Sequence, residues 1–365
     1  MLKIGILGLA NVGKSTLFNA LQKEAKAEVS NYPFCTIESN VGIVEVPDER
    51  LDELQKILKV PKKIPAPIKF IDIAGLIKGA AKGEGLGNKF LANIRETDAI
   101  MMVLRAFTDS KIVSTQNEVN PEKEYETIKT ELILKDLETC EKRLASVAKD
   151  IKAGEKLARI ELEILRKIKA GLNEEKLISD LGLETDDLEI ISSLNFLTQK
   201  PVLVVLNCDE KDLKNPPFIR QLPEERQIEI AAITEAELSE FSDQERLEYL
   251  KDLGLAETGL TRLIRASFHL LNLIVFYTYT DPSRFTRAET KGLVQSWPIP
   301  KNSTAVSAAG QVHSDFAQKF IKAEILSFDD LKKSGSLERS KSKGQIRLEG
   351  KNYQVCDADI IKFII

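Results

Sequence analysis

The sequence predicts an α/β fold in which a buried, mostly parallel sheet is interrupted by a long helical insertion and followed by a small α+β module. Three observations predict it. Short β-branched runs recur with amphipathic segments between them, the mark of strands covered on both faces. Residues from about 121 to 199 abandon that alternation for long helical periodicity. Past about residue 279 the chain is punctuated by Pro and Gly. With 365 residues, 43% hydrophobic and 30% charged, the chain exceeds one core of ordinary size, so two or three domains are expected.

Taken in order, Lys3–Leu7 reads as the first strand. The apolar start MLKIGILGLA runs straight into a Gly-rich motif rather than a small-residue cleavage site, so a strand and a cytoplasmic protein are expected. No run of about 18 apolar residues occurs, and no membrane span is expected. Gly42–Val46 lacks an obvious helix before the next strand and reads as an antiparallel edge strand. Ile68–Ile73, Ile100–Leu104, Val202–Leu206 and Ile228–Ala232 complete the sheet. The insertion holds EYETIKTELILKDLETCEKRLASVAKDI and EKLARIELEILRKIKAGL, with Leu132, Leu137, Leu144 and Val147 at helical spacing. Ala153–Gly154 is a natural turn, which gives a helical hairpin, close to a coiled coil, projecting from the core. The apolar stretch FHLLNLIVFYTYTD after Arg265 closes the first domain, and the last module carries one helix near Asp315–Lys322. The expected domains are residues 1–278, with the hairpin at about 121–199, and 279–365.

The net charge of −4 hides an asymmetry. Residues 281–365 hold 14 Lys and Arg against 10 Asp and Glu, which leaves −8 on the first 280. Taken alone, this difference reads as ordinary surface variation before it reads as a polyanion-binding tail. Cys35, Cys140, Cys208 and Cys356 form no CxxC pair and only two histidines exist, so reduced thiols and no zinc site are expected.

The chemistry starts at Gly8-Leu9-Ala10-Asn11-Val12-Gly13-Lys14-Ser15, a GxxxxGK[ST] loop after a strand and before the helix Thr16–Gln22. Successive backbone N–H groups of Asn11, Val12, Gly13 and the residues through Thr16 are expected to cradle phosphate, aided by the helix dipole. Lys14 is expected to bridge the β- and γ-phosphates and the Ser15 hydroxyl to hold Mg²⁺. Asp72-Ile73-Ala74-Gly75 matches DxxG at a strand end, with Asp72 on the metal side and the Gly75 N–H on the γ-phosphate. Thr36, in the preceding loop, suits a first switch that closes on Mg²⁺. The Gly-rich tract 78–87 suits a second switch. Leu76 stands where a Ras-like GTPase carries its water-positioning glutamine, so hydrolysis must rest on electrostatics and positioning.

The order P-loop, Thr36, DxxG is that of a TRAFAC-type GTPase, whose base is read by NKxD. Here Asn207-Cys208-Asp209-Glu210 follows the Val202–Leu206 strand. Cys208 replaces the lysine stem that covers guanine, and Glu210 replaces the aspartate that accepts from its N1–H and 2-amino group. Adenine offers an acceptor at N1, so ATP is expected over GTP.

Over nearly the whole chain, GLANVGKSTLFNAL, NYPFCTIESNVG, DIAGLIKGAAKGEGLGNKFLANIRE, AAGQVHSDFAQKFIKAEILSFDDL and GQIRLEGKNYQVCDADII resemble the Obg-like ATPase family, which includes bacterial YchF. The resemblance implies a Ras-like G domain with a helical insertion, a C-terminal TGS domain, ATP preference through Asn207 and Glu210, and association with the ribosome, as the 50S or 70S particle. It places Ala231 and Ala232 in the loop whose N–H groups meet the base. RNA contact through the TGS domain and hairpin, and a monomer, are expected as well. Asn11 is a K⁺ ligand in related P-loops; here that role and simple loop capping both stand. Three positions depart from the family: Ala10 replaces a proline, Ser114 replaces a histidine proposed to assist hydrolysis, and 285–297 matches poorly. Slow turnover stimulated by K⁺ or ribosomes is the resulting expectation. A GTPase of Obg type, or an RNA-binding protein merely stabilised by nucleotide, are the rivals.

Overall fold

The computed structural model describes residues 2–24, 40–73, 93–108, 119–280 and 292–365. Thr36, Gly75, Leu76, the 78–87 tract, Ser114 and Cys35 lie outside them. The described chain divides into two compact units. One holds the residues up to 24 with 40–43 and 69–263, and the other holds 44–68 with 264 onward.

The first unit is organised by a six-stranded sheet of order β2-β4-β1-β5-β6-β7. Its strands are β1 (Leu2–Leu7), β2 (Val41–Glu45), β4 (Pro67–Asp72), β5 (Ala99–Arg105), β6 (Val202–Asn207) and β7 (Gln227–Ile230). β1, β5, β6 and β7 run parallel, and β2 takes the edge. Every residue of β5 is buried, as a strand covered on both faces requires. The carboxyl ends of the parallel strands open together, so the loop after β1 and those after β6 and β7 face one cleft. Helix α1 (Lys14–Glu24) begins inside the Gly-rich motif, buries Leu17, Phe18 and Leu21, and packs on α6 (Ala232–Leu238).

The insertion is an antiparallel hairpin of α3 (Pro121–Lys152) and α4 (Ala158–Asn173). Asn120 caps α3 and Pro121 starts it. Gly154, at φ 81°, makes the turn. Arg143 grips both carboxylate oxygens of Glu161 at 2.6 Å, and Cys140 meets Leu165 O at 3.4 Å. The hairpin buries a core of its own, including Ile133, Leu165, Ile168 and Phe196. Beyond it lie α5 (Thr185–Ile191) and the descent to β6, which Asp136 anchors. That fully buried carboxylate accepts from the N–H groups of Leu197 and Thr198 at 2.9 and 2.7 Å and from the Thr198 hydroxyl.

The second unit carries its own sheet, β11-β10-β12-β8-β9-β3. Here β3 (Lys62–Ile64) runs parallel to β9 (Leu293–Pro300), and β8 (Leu273–Tyr279) lies between β9 and β12 (Asp359–Ile364). β10 (Lys322–Ser327) and β11 (Arg347–Glu349) finish it. α2 (Glu49–Leu58) and β3 had no counterpart in the sequence expectation, and both belong to this unit. The boundary expected at 278/279 falls inside β8 and separates most of that strand from the sheet it belongs to. The apolar run from 268 looked like the close of the first core because burial pattern alone does not say which core a strand enters. The helix expected at Asp315–Lys322 is shorter, Ser314–Gln318, and Lys322 already starts β10.

Candidate active site

A cavity of about 870 Å³ opens where the loops after β1, β6 and β7 converge. Asn11, Gly13, Lys14, Ser15 and Thr16 line one end, and Cys208, Glu210, Ala231 and Ile233 line the other. Val12 and Ala232, 1% exposed each, stand behind the wall. The sequence motifs, nearly 200 residues apart, are thus brought to one site.

The turn of the first loop follows from two left-handed residues, Asn11 at φ 63° and Gly13 at φ 94°. A Cβ on Gly13 would collide with Nδ2 of Asn207. That contact shows what Asn207 does. Its Nδ2 donates to Val12 O at 3.0 Å, and its Oδ1 accepts from the Ala232 N–H at 3.0 Å. Both ends of the carboxamide are used inside the protein, so Asn207 bolts the Gly-rich loop to the start of α6. The Ala232 N–H, expected at the base, is engaged by this bolt.

Lys14 is buried and its ammonium donates to Leu9 O at 2.6 Å. Burial lowers its pKa, opposed by the charges of Asp72 and Glu124. The same burial raises both carboxyls, opposed by Lys14 and, for Glu124, also by Arg105. Glu124 comes from the first turn of α3 and accepts from the Arg105 N–H at 2.9 Å. It was not foreseen: an acid in a helix's first turn reads as ordinary dipole pairing, and only the fold reveals it as a buried charge within reach of Lys14. Asp72 Oδ1 is buried and has no hydrogen-bond partner among the described residues. An orphaned carboxylate oxygen beside a phosphate-type loop, with the exposed Ser15 hydroxyl in the same cleft, fits a hard oxygen-seeking cation such as Mg²⁺. No cluster of three His, Cys, Asp or Glu suited to a metal exists among the described residues.

At the far end, Cys208 is 4% exposed, and burial pushes its thiol up to about 11. Asp209 also lines the cavity and accepts from the Thr108 N–H and hydroxyl, both at 3.2 Å. The Glu210 carboxylate accepts from Thr234 Oγ1 at 3.0 Å and from the hydroxyl of Tyr249, in α7 (Asp243–Leu253), at 2.7 Å. Phe107, Thr108 and Glu237 also line the site and carried no sequence signal.

A strand that runs into a glycine-dependent loop, a buried lysine at the head of a helix and an asparagine bolting that loop to the last binding loop define a P-loop nucleoside triphosphatase. Comparison agrees and narrows the class. Residues 3–149 match the family model MMR_HSR1, "50S ribosome-binding GTPase", and 283–365 match YchF-GTPase_C, described as a protein of unknown function. Proteins named "Ribosome-binding ATPase YchF" are similar over 99% of the chain and 98% of their own length. That of Pasteurella multocida (strain Pm70) is 45% identical, and those of Escherichia coli O157:H7 and Bacillus subtilis (strain 168) are 44% and 42% identical. The structure described as the Schizosaccharomyces pombe YchF GTPase superposes with a TM-score of 0.85 at 33% identity, covering 100% of this chain and 97% of that one. The chain belongs to the YchF family.

Proposed function

We propose that this protein hydrolyses ATP in preference to GTP, in a slow Mg²⁺-dependent cycle coupled to the ribosome in translation or stress regulation. One observation carries the base preference: the base end of the cavity offers a buried, neutral Cys208 and a Glu210 carboxylate already engaged by two hydroxyls. The lysine stem that would lie over guanine is missing. The names of the bacterial relatives, ribosome-binding ATPases, support the same reading. As in those relatives, the ribosome is the partner proposed here. RNA contact through a C-terminal TGS domain and the α3–α4 hairpin, a monomeric state and a cytoplasmic setting belong to this proposal too.

In the reaction, Lys14 holds the β- and γ-phosphates and neutralises charge that grows as the γ-phosphoryl leaves. The N–H groups of the Gly-rich loop and the α1 N-terminus fix the chain of phosphates in line. Ser15 and Asp72 would hold Mg²⁺, with Thr36 completing the set; when bound, the ion supplies positive charge to the phosphate oxygens. Gly75 is proposed to meet the γ-phosphate through its N–H. Asn11 is the proposed K⁺ ligand.

Calorimetric titration of ATP and GTP with Mg²⁺, in potassium and in sodium buffers, tests the proposal. ATP is expected to bind at least about tenfold tighter, with turnover higher in potassium or with ribosomes. Tighter binding of GTP would reject it.

A further inference from the structure

Glu210 Oε2 receives two hydroxyl hydrogens, from Thr234 and from Tyr249. One carboxylate oxygen has about two lone-pair sites, so these two donors fill it. No donor among the described residues meets Oε1. The Tyr249 ring is itself held: Phe241 packs edge-on at 5.8 Å and 76°, which fixes where the hydroxyl points. Thr234 lies in α6 and is buried, so its hydroxyl is equally constrained.

A carboxylate that grips guanine must offer both oxygens, one to N1–H and one to the 2-amino group. Glu210 has one to offer. Guanine's N1–H and 2-amino N–H run parallel, so a single open oxygen lies in line with only one of them, whereas adenine's 6-amino group presents one N–H on that edge. We infer that Tyr249 and Thr234 are positioning residues that set base selectivity: by occupying Oε2 they reduce a two-pronged acceptor to a one-pronged one. Guanine entering this site leaves one N–H donor without a partner, and an unpaired buried donor is the strong form of rejection. The longer side chain of Glu210 is then no mere substitute for aspartate. Its extra methylene carries the carboxylate to the two hydroxyls.

The inference rests on the ATP-preferring reading above, and the test separates the two. Affinities for Mg·ATP and Mg·GTP are measured by calorimetry for the full-length wild type, Tyr249→Phe, Thr234→Val, the double variant and Thr234→Ser. The ratio Kd(GTP)/Kd(ATP) is the readout, since it is unmoved by loss of active protein. The double variant, with Oε2 freed, is expected to lower that ratio about tenfold, chiefly by tighter GTP binding. Thr234→Ser keeps the hydroxyl and is expected to keep the wild-type ratio. If the wild type prefers ATP and the double variant keeps that preference, or loses affinity for both nucleotides in parallel, the two hydroxyls merely brace α7 against α6 and the inference fails alone. A wild-type ratio near one would overturn the ATP-preferring reading and this inference with it.

Discussion

Among single residues, Cys208 and Cys356 make the sharpest contrast. Burial holds the Cys208 thiol neutral up to about pH 11, from an ordinary value of 9.0, while Cys356 is exposed. The thiolate is the reactive form, so at pH 8 iodoacetamide is expected to modify Cys356 at least about tenfold faster than Cys208, read by peptide mass spectrometry. The folded state keeps the Cys208 proton where the unfolded chain releases it, so this group's contribution to stability falls as pH rises from about 9 toward 11. Equal labelling rates at pH 8 would contradict the burial. The residues of the Gly-rich loop were legible in sequence because their spacing is dictated by phosphate itself. Asn207 was legible as a site residue but not in its role. A motif names the residue, and only the fold shows that both ends of its carboxamide are taken by Val12 and Ala232. Glu124, Thr234 and Tyr249 were illegible for a different reason: each sits on a helix where an acid or hydroxyl is unremarkable until a partner from elsewhere in the chain meets it.

At the level of elements, the α3–α4 hairpin separates two kinds of polar contact. Arg143, itself partly exposed, joins the partly exposed Asp150 and the buried Glu161, and solvent reaching the guanidinium weakens these ion pairs. Asp136 is wholly buried and holds two backbone N–H groups before β6. Asp136→Ala is therefore expected to cost about 3 kcal/mol or more, since it orphans two buried donors. Arg143→Ala is expected to cost about 1 kcal/mol. Urea unfolding followed by circular dichroism checks the order, and a larger loss for Arg143→Ala would refute it. The existence of the hairpin was plain from its periodicity, and its turn from Gly154. β3 was missed because KKI, three residues long, offers no period to count, whereas α2 was overlooked although Asp48 caps it and Leu51 and Leu54 share its buried face.

For the molecule as a whole, the second unit is discontinuous in sequence. Its β8 is a central strand, paired with β9 on one side and β12 on the other. A fragment of residues 280–365 lacks it, and lacks β3 as well, which leaves the three strands β11-β10-β12 with an open edge and β9 with no partner, so it is expected to be unfolded, with collapsed amide dispersion in a ¹H–¹⁵N spectrum. A fragment of 264–365 regains β8 and is expected to recover dispersed resonances. A well-dispersed spectrum from 280–365 would show that β8 is dispensable. The class of fold was readable from strand spacing, whereas this division was not, because the sequence marks where strands lie and is silent on which sheet each one joins.

The pairing of β3 with β9 has a consequence for biosynthesis. Lys62 and its partner Leu293 are about 230 residues apart. At about 5–20 residues per second, β3 leaves the ribosome roughly 10–50 s before its neighbour exists. Throughout that interval the strand must wait without the neighbour it pairs with. The two lysines of β3 and its three-residue length suit it to the wait, since short charged edges resist pairing with the wrong chain.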